Sequence, residues 1–182
     1  MHRSKNSPTK KSRDSFAEEM NETLEAPVEA VESSAEAVSN SDIVITATNS
    51  PKPVFDGDLL EPGTHVTTMG QYHPKKQEVD ATTIARSTYV VDLAERLQQD
   101  AGAYIAALEA GAIDDDHLHA ELGSVVAGTA PGRQSEDEIT LFDSGGTAIE
   151  TVAAAKLLYD RATEVGRGES IEFAPASEAF IG

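Results

Sequence analysis

Residues 42–48 read Asp-Ile-Val-Ile-Thr-Ala-Thr. The unbroken β-branched run Ile43-Val-Ile-Thr46, with no polar alternation, predicts a strand buried on both faces. That pattern belongs to a parallel sheet with helices on either side, so the chain reads as α/β. Toward the amino terminus, Ser33 and Ser34 cap a brief helix through Val38, with Glu36 in its first turn, and Val28 to Val31 reads as a short strand. Before it, Phe16, Met20 and Leu24 recur every four residues within Pro8–Leu24, the apolar face of an amphipathic helix starting near Asp14 and Ser15.

The same rhythm continues on the other side. Pro51 and Pro53 break the chain, Phe55–Leu60 forms a turn-helix, and His65–Met69 is a strand that ends at Gly70. Asp80–Arg86 is helical and Tyr89–Asp92 is a third strand. Short strands alternating with helix-compatible segments predict a doubly wound sheet. Leu93–Leu108 continues as helix with Leu97, Tyr104, Ile105 and Leu108 inward, stopped by Gly111. Asp114–Gly128 places Leu122, Val125 and Val126 on a helical face; a polar loop follows over 129–138. Ile139–Phe142 is a strand, Asp143-Ser-Gly-Gly146 a tight turn, and Thr147–Val165 a long helix, after which the tail is rich in Gly, Glu and Ser.

Composition narrows the functional classes. The 182 residues include no Cys and no Trp, with 14 basic and 32 acidic side chains for a net charge of −18. Lacking thiols, the chain has no disulfide, no Cys-based metal site and no thiol nucleophile. So negative a surface disfavours nucleic acid and anionic membranes. No apolar run approaches the ~20 residues of a spanning helix, and MHRSKNSPTKKSRD has no apolar core of a secretory signal, so a cytoplasmic protein is expected. Only 7 Lys face the 32 acids, a balance suited to high salt, where counterions screen self-repulsion. A halophilic source is therefore expected.

Three segments carry a family resemblance: 42–48, Leu60-Glu-Pro-Gly-Thr-His65, and above all Ala130-Pro-Gly-Arg-Gln-Ser-Glu-Asp-Glu-Ile-Thr-Leu-Phe-Asp-Ser144. Over roughly Phe16 to Val165 the chain resembles the ornithine cyclodeaminase/mu-crystallin family, whose members are NAD(P)-dependent and include cyclodeaminases, alanine dehydrogenases, imine reductases and crystallin-type binding proteins. The resemblance implies a Rossmann-like doubly wound parallel sheet that is incomplete, with strands one and two missing, plus the carboxy-terminal part of a substrate and dimerisation domain. Expected boundaries are 1–13 as disordered or a remnant of strand two, 14–128 as the partial nucleotide domain, 129–166 as the loop, strand and helix returning to the substrate domain, and 167–182 as a flexible tail. No Gly-x-Gly-x-x-Gly occurs. With strand order 3-2-1-4-5-6, the strands at 43–47, 65–69 and 89–92 are expected as neighbours and the strand at 28–31 as cut off from them. Such open edges predict either a poorly folded amino end or completion by another polypeptide.

Site residues follow from the resemblance. Thr46, Ala47 and Thr48 lie at a strand's carboxyl end, where a dinucleotide crevice opens, and Met69 and Gly70 are expected beside the nicotinamide. Two positions on, where cyclodeaminases and alanine dehydrogenases carry Asp, stands Tyr72, the candidate catalytic residue. With an ordinary pKa of about 10, it is a poor base but a candidate proton donor or pocket wall. Ser144 and Gly145 are expected at the nicotinamide, with Ser144 alternatively a plain helix N-cap. His73, Lys75 and Lys76 read as solvated. The run Asp114-Asp-Asp-His-Leu-His119 reads as a solvated loop and not a metal site. Arg3 favours NADP over NAD. The implied activity is hydride transfer between a nicotinamide and a small amino or imino acid, with water or the δ-amine of ornithine attacking an iminium. The other reading is a non-catalytic remnant or binding protein. Expected partners are the small substrate and either a homodimer mate or a complementing amino-terminal half.

Overall fold

A computed structural model describes residues 3–69 and 72–171. The chain divides into two units, 1–145 and 146–182. The first contains β1 (Arg3–Lys5), α1 (Lys10–Thr23), β2 (Val28–Ala30), α2 (Ser34–Val38), β3 (Ile43–Thr46), β4 (His65–Thr68), α3 (Ala81–Arg86), β5 (Thr88–Val91), α4 (Leu97–Asp100), α5 (Gly102–Glu109), β6 (Leu118–Glu121), α6 (Leu122–Val126) and β7 (Thr140–Asp143), with single 3-10 turns at Gly57–Leu59 and Ala94–Arg96. The second contains α7 (Ala148–Glu164), whose N-cap is Thr147, in a reciprocal box with Glu150. Ser144 is therefore not the cap.

Every strand pair is parallel. Five strands form one sheet in the order β3-β4-β7-β5-β6, and β1 and β2 form a separate pair. Residues 3–5 are thus a strand, aligned with 28–30. The expected adjacency of 65–69 and 89–92 is corrected: β7 lies between them, with Thr68 opposite Asp143 on one side and Val91 opposite Asp143 on the other. The strand–helix rhythm shows that the strands are parallel but carries no information about a later strand inserted between earlier ones.

Burial alternates along β3, β4, β5 and β7. Val44, Val66, Tyr89, Val91 and Leu141 point into the core, where Ile84, Leu97, Tyr104 and Ala107 meet them. The opposite face is half-buried and opens at β3, where Ile43 is 51% and Ile45 64% exposed. The expectation that this strand is buried on both faces is therefore corrected. A β-branched run shows that a strand is suited to two covered faces; which faces are covered depends on elements elsewhere.

Local signals explain most boundaries. Ser33 and Glu36 form a full capping box on α2, and Asp80 caps α3 by accepting from the Thr83 N–H at 2.8 Å. In α1 the inward side chains are Arg13 and Ala17, not Phe16 and Leu24, which are exposed. Arg13 donates to the Ser7 carbonyl at 2.6 Å, and Phe16 instead lies under the Lys5 ammonium. The expected helix 93–108 is interrupted at Ala101. There Gly102 sits so close to the His73 and Lys76 carbonyls that a Cβ would strike both. Within 114–128 the expected helical residues Leu122, Val125 and Val126 do lie in α6, though Val126 is exposed, and 118–121 before them is the edge strand β6. His117 bonds the Ile84 carbonyl at 2.8 Å and His119 the Pro131 carbonyl at 2.9 Å. Among the described residues no cluster of His and acids suits a metal ion.

Candidate functional site

The carboxyl ends of β3, β4, β7 and β5 converge at one rim of the sheet, where ligands of open α/β folds bind. Here Thr46 turns its hydroxyl inward and donates to Glu78 Oε2 at 3.0 Å, while the Thr48 N–H donates to Glu78 Oε1 at 2.6 Å. Glu78 is 3% exposed and ties the loop after β3 to the segment before α3. It escapes sequence reasoning because a single acid in a polar loop looks solvated. Ala47 is exposed, as is Met69, whose N–H continues the ladder to the Thr46 carbonyl at 3.0 Å. Gly70 lies outside the described residues.

Under this rim is a buried polar chain. Asp143, 7% exposed at the end of β7, accepts from Thr68 Oγ1 at 2.7 Å and from the phenol of fully buried Tyr89 at 2.5 Å. Burial raises the Asp143 carboxyl above its ordinary range, and the two hydrogen bonds only partly counter this. Burial, then the nearby Asp143 charge, keeps the Tyr89 phenol protonated. Asp143 has a readable signal: Leu141 in, Phe142 out and Asp143 in is the alternation of one strand.

Tyr72 lies above this chain, half-buried. Its ring packs on Gly145, where an added Cβ would stand 2.8 Å from Tyr72 Cε1, and the Arg96 guanidinium lies over the ring at 5.0 Å from its centroid. Asp100 holds Arg96 at 3.0 Å. Among the described residues the buried Tyr72 hydroxyl has no hydrogen-bond partner, nor have the two buried carboxylate oxygens of Asp92, which follows β5. Burial, with Asp143 and Asp92 next, pushes the Tyr72 phenol well above its ordinary value, against the opposing pull of Arg96. The phenol therefore stays protonated at neutral pH and is not available there as a base.

The structure brings Tyr72 and Gly145 into contact and puts Ser144 in the ladder, its N–H donating to the Thr68 carbonyl at 2.8 Å. That N–H is spent and does not point free into a cleft. On the β3 side, Thr46, Ala47, Thr48 and Met69 line a groove of about 1070 Å³ that extends to β1 and contains no acidic lining residue. A nicotinamide dinucleotide fits this groove in part. Its volume and neutral walls suit such a group, and Lys5 adds a positive charge. A Gly-rich pyrophosphate cradle is not among these residues. The described residues among the expected cofactor contacts, and Tyr72, thus lie along one sheet rim, with the Thr46 hydroxyl already committed to Glu78.

Known proteins share this fold. The chain is 37% identical over 159 residues to a Delta(1)-pyrroline-2-carboxylate reductase of Bacillus cereus, covering 87% of this chain and 49% of the relative. Its fold superposes with TM-score 0.84 on the Thermococcus litoralis Delta(1)-pyrroline-2-carboxylate reductase in complex with NADH and L-proline, at 40% identity over 90% of this chain and 51% of that one. An archaeal alanine dehydrogenase dimer with bound NAD matches with TM-score 0.82 and 32% identity over 95% of this chain and 53% of that one. The chain thus spans about half the length of the relatives it matches. Residues 5–166 match the model of one family, and, with the parallel sheet and the rim it builds, this chain belongs to the ornithine cyclodeaminase/mu-crystallin family.

Proposed function

We propose that these residues form the nicotinamide-facing wall of an NAD(P)-dependent reductase of a small imino acid, of the pyrroline-carboxylate kind, with the remaining walls supplied by polypeptide outside them. The observation that carries this reading is the Tyr72 hydroxyl, which is buried, without a partner among the described residues, and held protonated. Imine reduction adds a hydride to carbon and a proton to nitrogen; a nicotinamide held at the rim would supply the hydride. Tyr72 would deliver the proton from its hydroxyl, with Gly145 and Arg96 fixing its ring and Asp143 held beneath it. Cyclodeamination needs a base at this position, which a phenol with a raised pKa does not provide. Thr46, Ala47, Thr48, Met69 and Gly145 line the rim on which the nicotinamide end would rest. Arg3 favours NADP, and the charge of −18 with only 7 Lys supports a salt-adapted protein. A second reading, binding without catalysis, is favoured by the lack of a Gly-x-Gly-x-x-Gly in these 182 residues.

The test combines the chain with the separately expressed part of the Bacillus cereus relative lying outside the matched 159 residues. NADH and NADPH oxidation are followed with pyrroline-2-carboxylate as substrate. Turnover is expected, and Tyr72→Phe should lower kcat by roughly 10²-fold or more while leaving nucleotide affinity in place. Equal turnover by the Phe variant removes the proton-donor role, and nucleotide binding without turnover favours the second reading.

A further inference from the structure

We propose that Arg133, Thr140 and His65 form a pH-sensitive clasp, which fastens the loop 129–138 to the amino ends of β4 and β7 while His65 is neutral and loosens it when His65 takes up a proton. The inference does not use the reductase reading, because the clasp lies at the opposite end of these two strands from Thr68 and Asp143.

The clasp is a chain of hydrogen bonds that runs one way. Arg133 donates to the Glu138 carbonyl and, through Nη2, to Thr140 Oγ1 at 3.1 Å. Thr140 Oγ1 lies 2.8 Å from His65 Nδ1, and His65 Nε2 lies 3.1 Å from Thr67 Oγ1. A guanidinium can only donate, so these partners assign the neutral imidazole one tautomer: the Thr140 hydroxyl donates to Nδ1, and Nε2–H donates to Thr67. A proton on Nδ1 reverses the middle bond. Thr140 then accepts from two cations at once, and its own hydrogen loses the acceptor it had.

The groups around His65 do not offset that second charge. Across the register it faces Ile43 of β3 and Thr140 of β7. Exposed Asp42 meets it through a backbone carbonyl, which accepts the His65 N–H at 2.8 Å. The Glu138 carboxylate of the loop accepts from the Thr88 hydroxyl on one oxygen and from the Gln134 N–H on the other, at 2.5 Å for the latter. Burial, then the Arg133 charge, holds the imidazole below its ordinary value. Little else secures the loop. Residues 131–137 are exposed, and the Gly63 N–H reaches it at the Asp137 carbonyl, 3.0 Å away. A segment with so little buried apolar surface opens at low cost. In the opened loop the imidazole has its ordinary value of about 6.5, so loosening sets in as pH falls through that value and levels off below the folded one.

The test uses the chain itself, by NMR. The His65 imidazole should titrate below about 6.5, and Arg133→Gln, which removes the neighbouring cation, should move its midpoint up. From about pH 7.5 to about 5.5, the protection factors of the Gln134 and Glu138 amides should fall at least about threefold while those of Val66 and Leu141 in the core hold. His65→Asn retains a side-chain acceptor for Thr140 and cannot take up a proton, so its loop should respond to the same change less than the parent's. The proposal is overturned if His65 titrates at or above its ordinary value, if Arg133→Gln leaves the midpoint in place, if loop protection is equal at the two pH values, or if His65→Asn loses protection as the parent does.

Discussion

Replacing Tyr89 with Phe deletes one oxygen from the middle of the sheet and leaves the ring in place. Tyr89 is fully buried, so no solvent can reach the vacated position, and its hydroxyl donates to Asp143 Oδ2 at 2.5 Å. Asp143 keeps Thr68 on its other oxygen. A hydrogen bond to a charged group contributes about 1.5–3 kcal/mol, and the freed oxygen is left desolvated, so a cost of about 2–3 kcal/mol is expected near neutral pH. For a domain of this size that is a fall in Tm of roughly 5–10 °C. The cost should depend on pH with a definite sign. The folded-state pKa of Asp143 is raised, so its contribution to stability is full below the unfolded value and is lost as pH rises through the folded value. The Tyr89 bond opposes that rise, and removing it lifts the folded value further. The variant should therefore be closest to the parent near pH 5 and furthest from it near pH 8, as ordinary carboxylate values of about 4 imply. Urea unfolding followed by circular dichroism at both pH values and fixed salt measures this. A cost below about 0.5 kcal/mol, or one equal at the two pH values, refutes a buried charged acceptor at Asp143.

Three further outcomes are expected. Glu78→Gln replaces one of two accepting oxygens with a donor facing Thr46 Oγ1 or the Thr48 N–H, and should cost about 1–3 kcal/mol, read by urea unfolding. Gly102→Ala drives a methyl into the His73 and Lys76 carbonyls and should lose about 1–3 kcal/mol or more, with a matching fall in Tm. Raising KCl from about 0.1 to about 2 M shortens the Debye length from roughly 10 Å to under 3 Å and should raise Tm, because the chain carries −18; an unchanged or lower Tm removes salt adaptation.

The readable parts of this molecule are those governed by neighbours in sequence. Ile43-Val-Ile-Thr46, the Ser33–Glu36 box and Asp80 ahead of Ala81 each specify an element through its own backbone needs. The illegible parts are set at long range. Whether Ile43 and Ile45 are covered depends on polypeptide beyond the strand. The need for Gly at 102, beside the break at Ala101, is set by carbonyls 26 and 29 positions earlier, brought close only when the loop at 73–76 packs on α5. Family resemblance located the rim residues, but it did not show that the Thr46 hydroxyl and the Ser144 N–H are already occupied within the protein.

The central position of β7 has a kinetic consequence. His65 and Thr140 face each other across β4 and β7 at a separation of 75 residues. Until Thr140–Asp143 has emerged, β3-β4 and β5-β6 are two detached ribbons with unsatisfied inner edges. At about 5–20 residues per second, a ribosome takes roughly 4–15 s to cover that distance. During this delay the nascent chain exposes the inner edges of β4 and β5, so its yield in a cell depends on how translation speed and chaperone cover are matched over residues 69–139. Truncations ending before Ile139 should therefore accumulate as aggregates, whereas those ending just beyond Asp143 retain the keystone of the sheet.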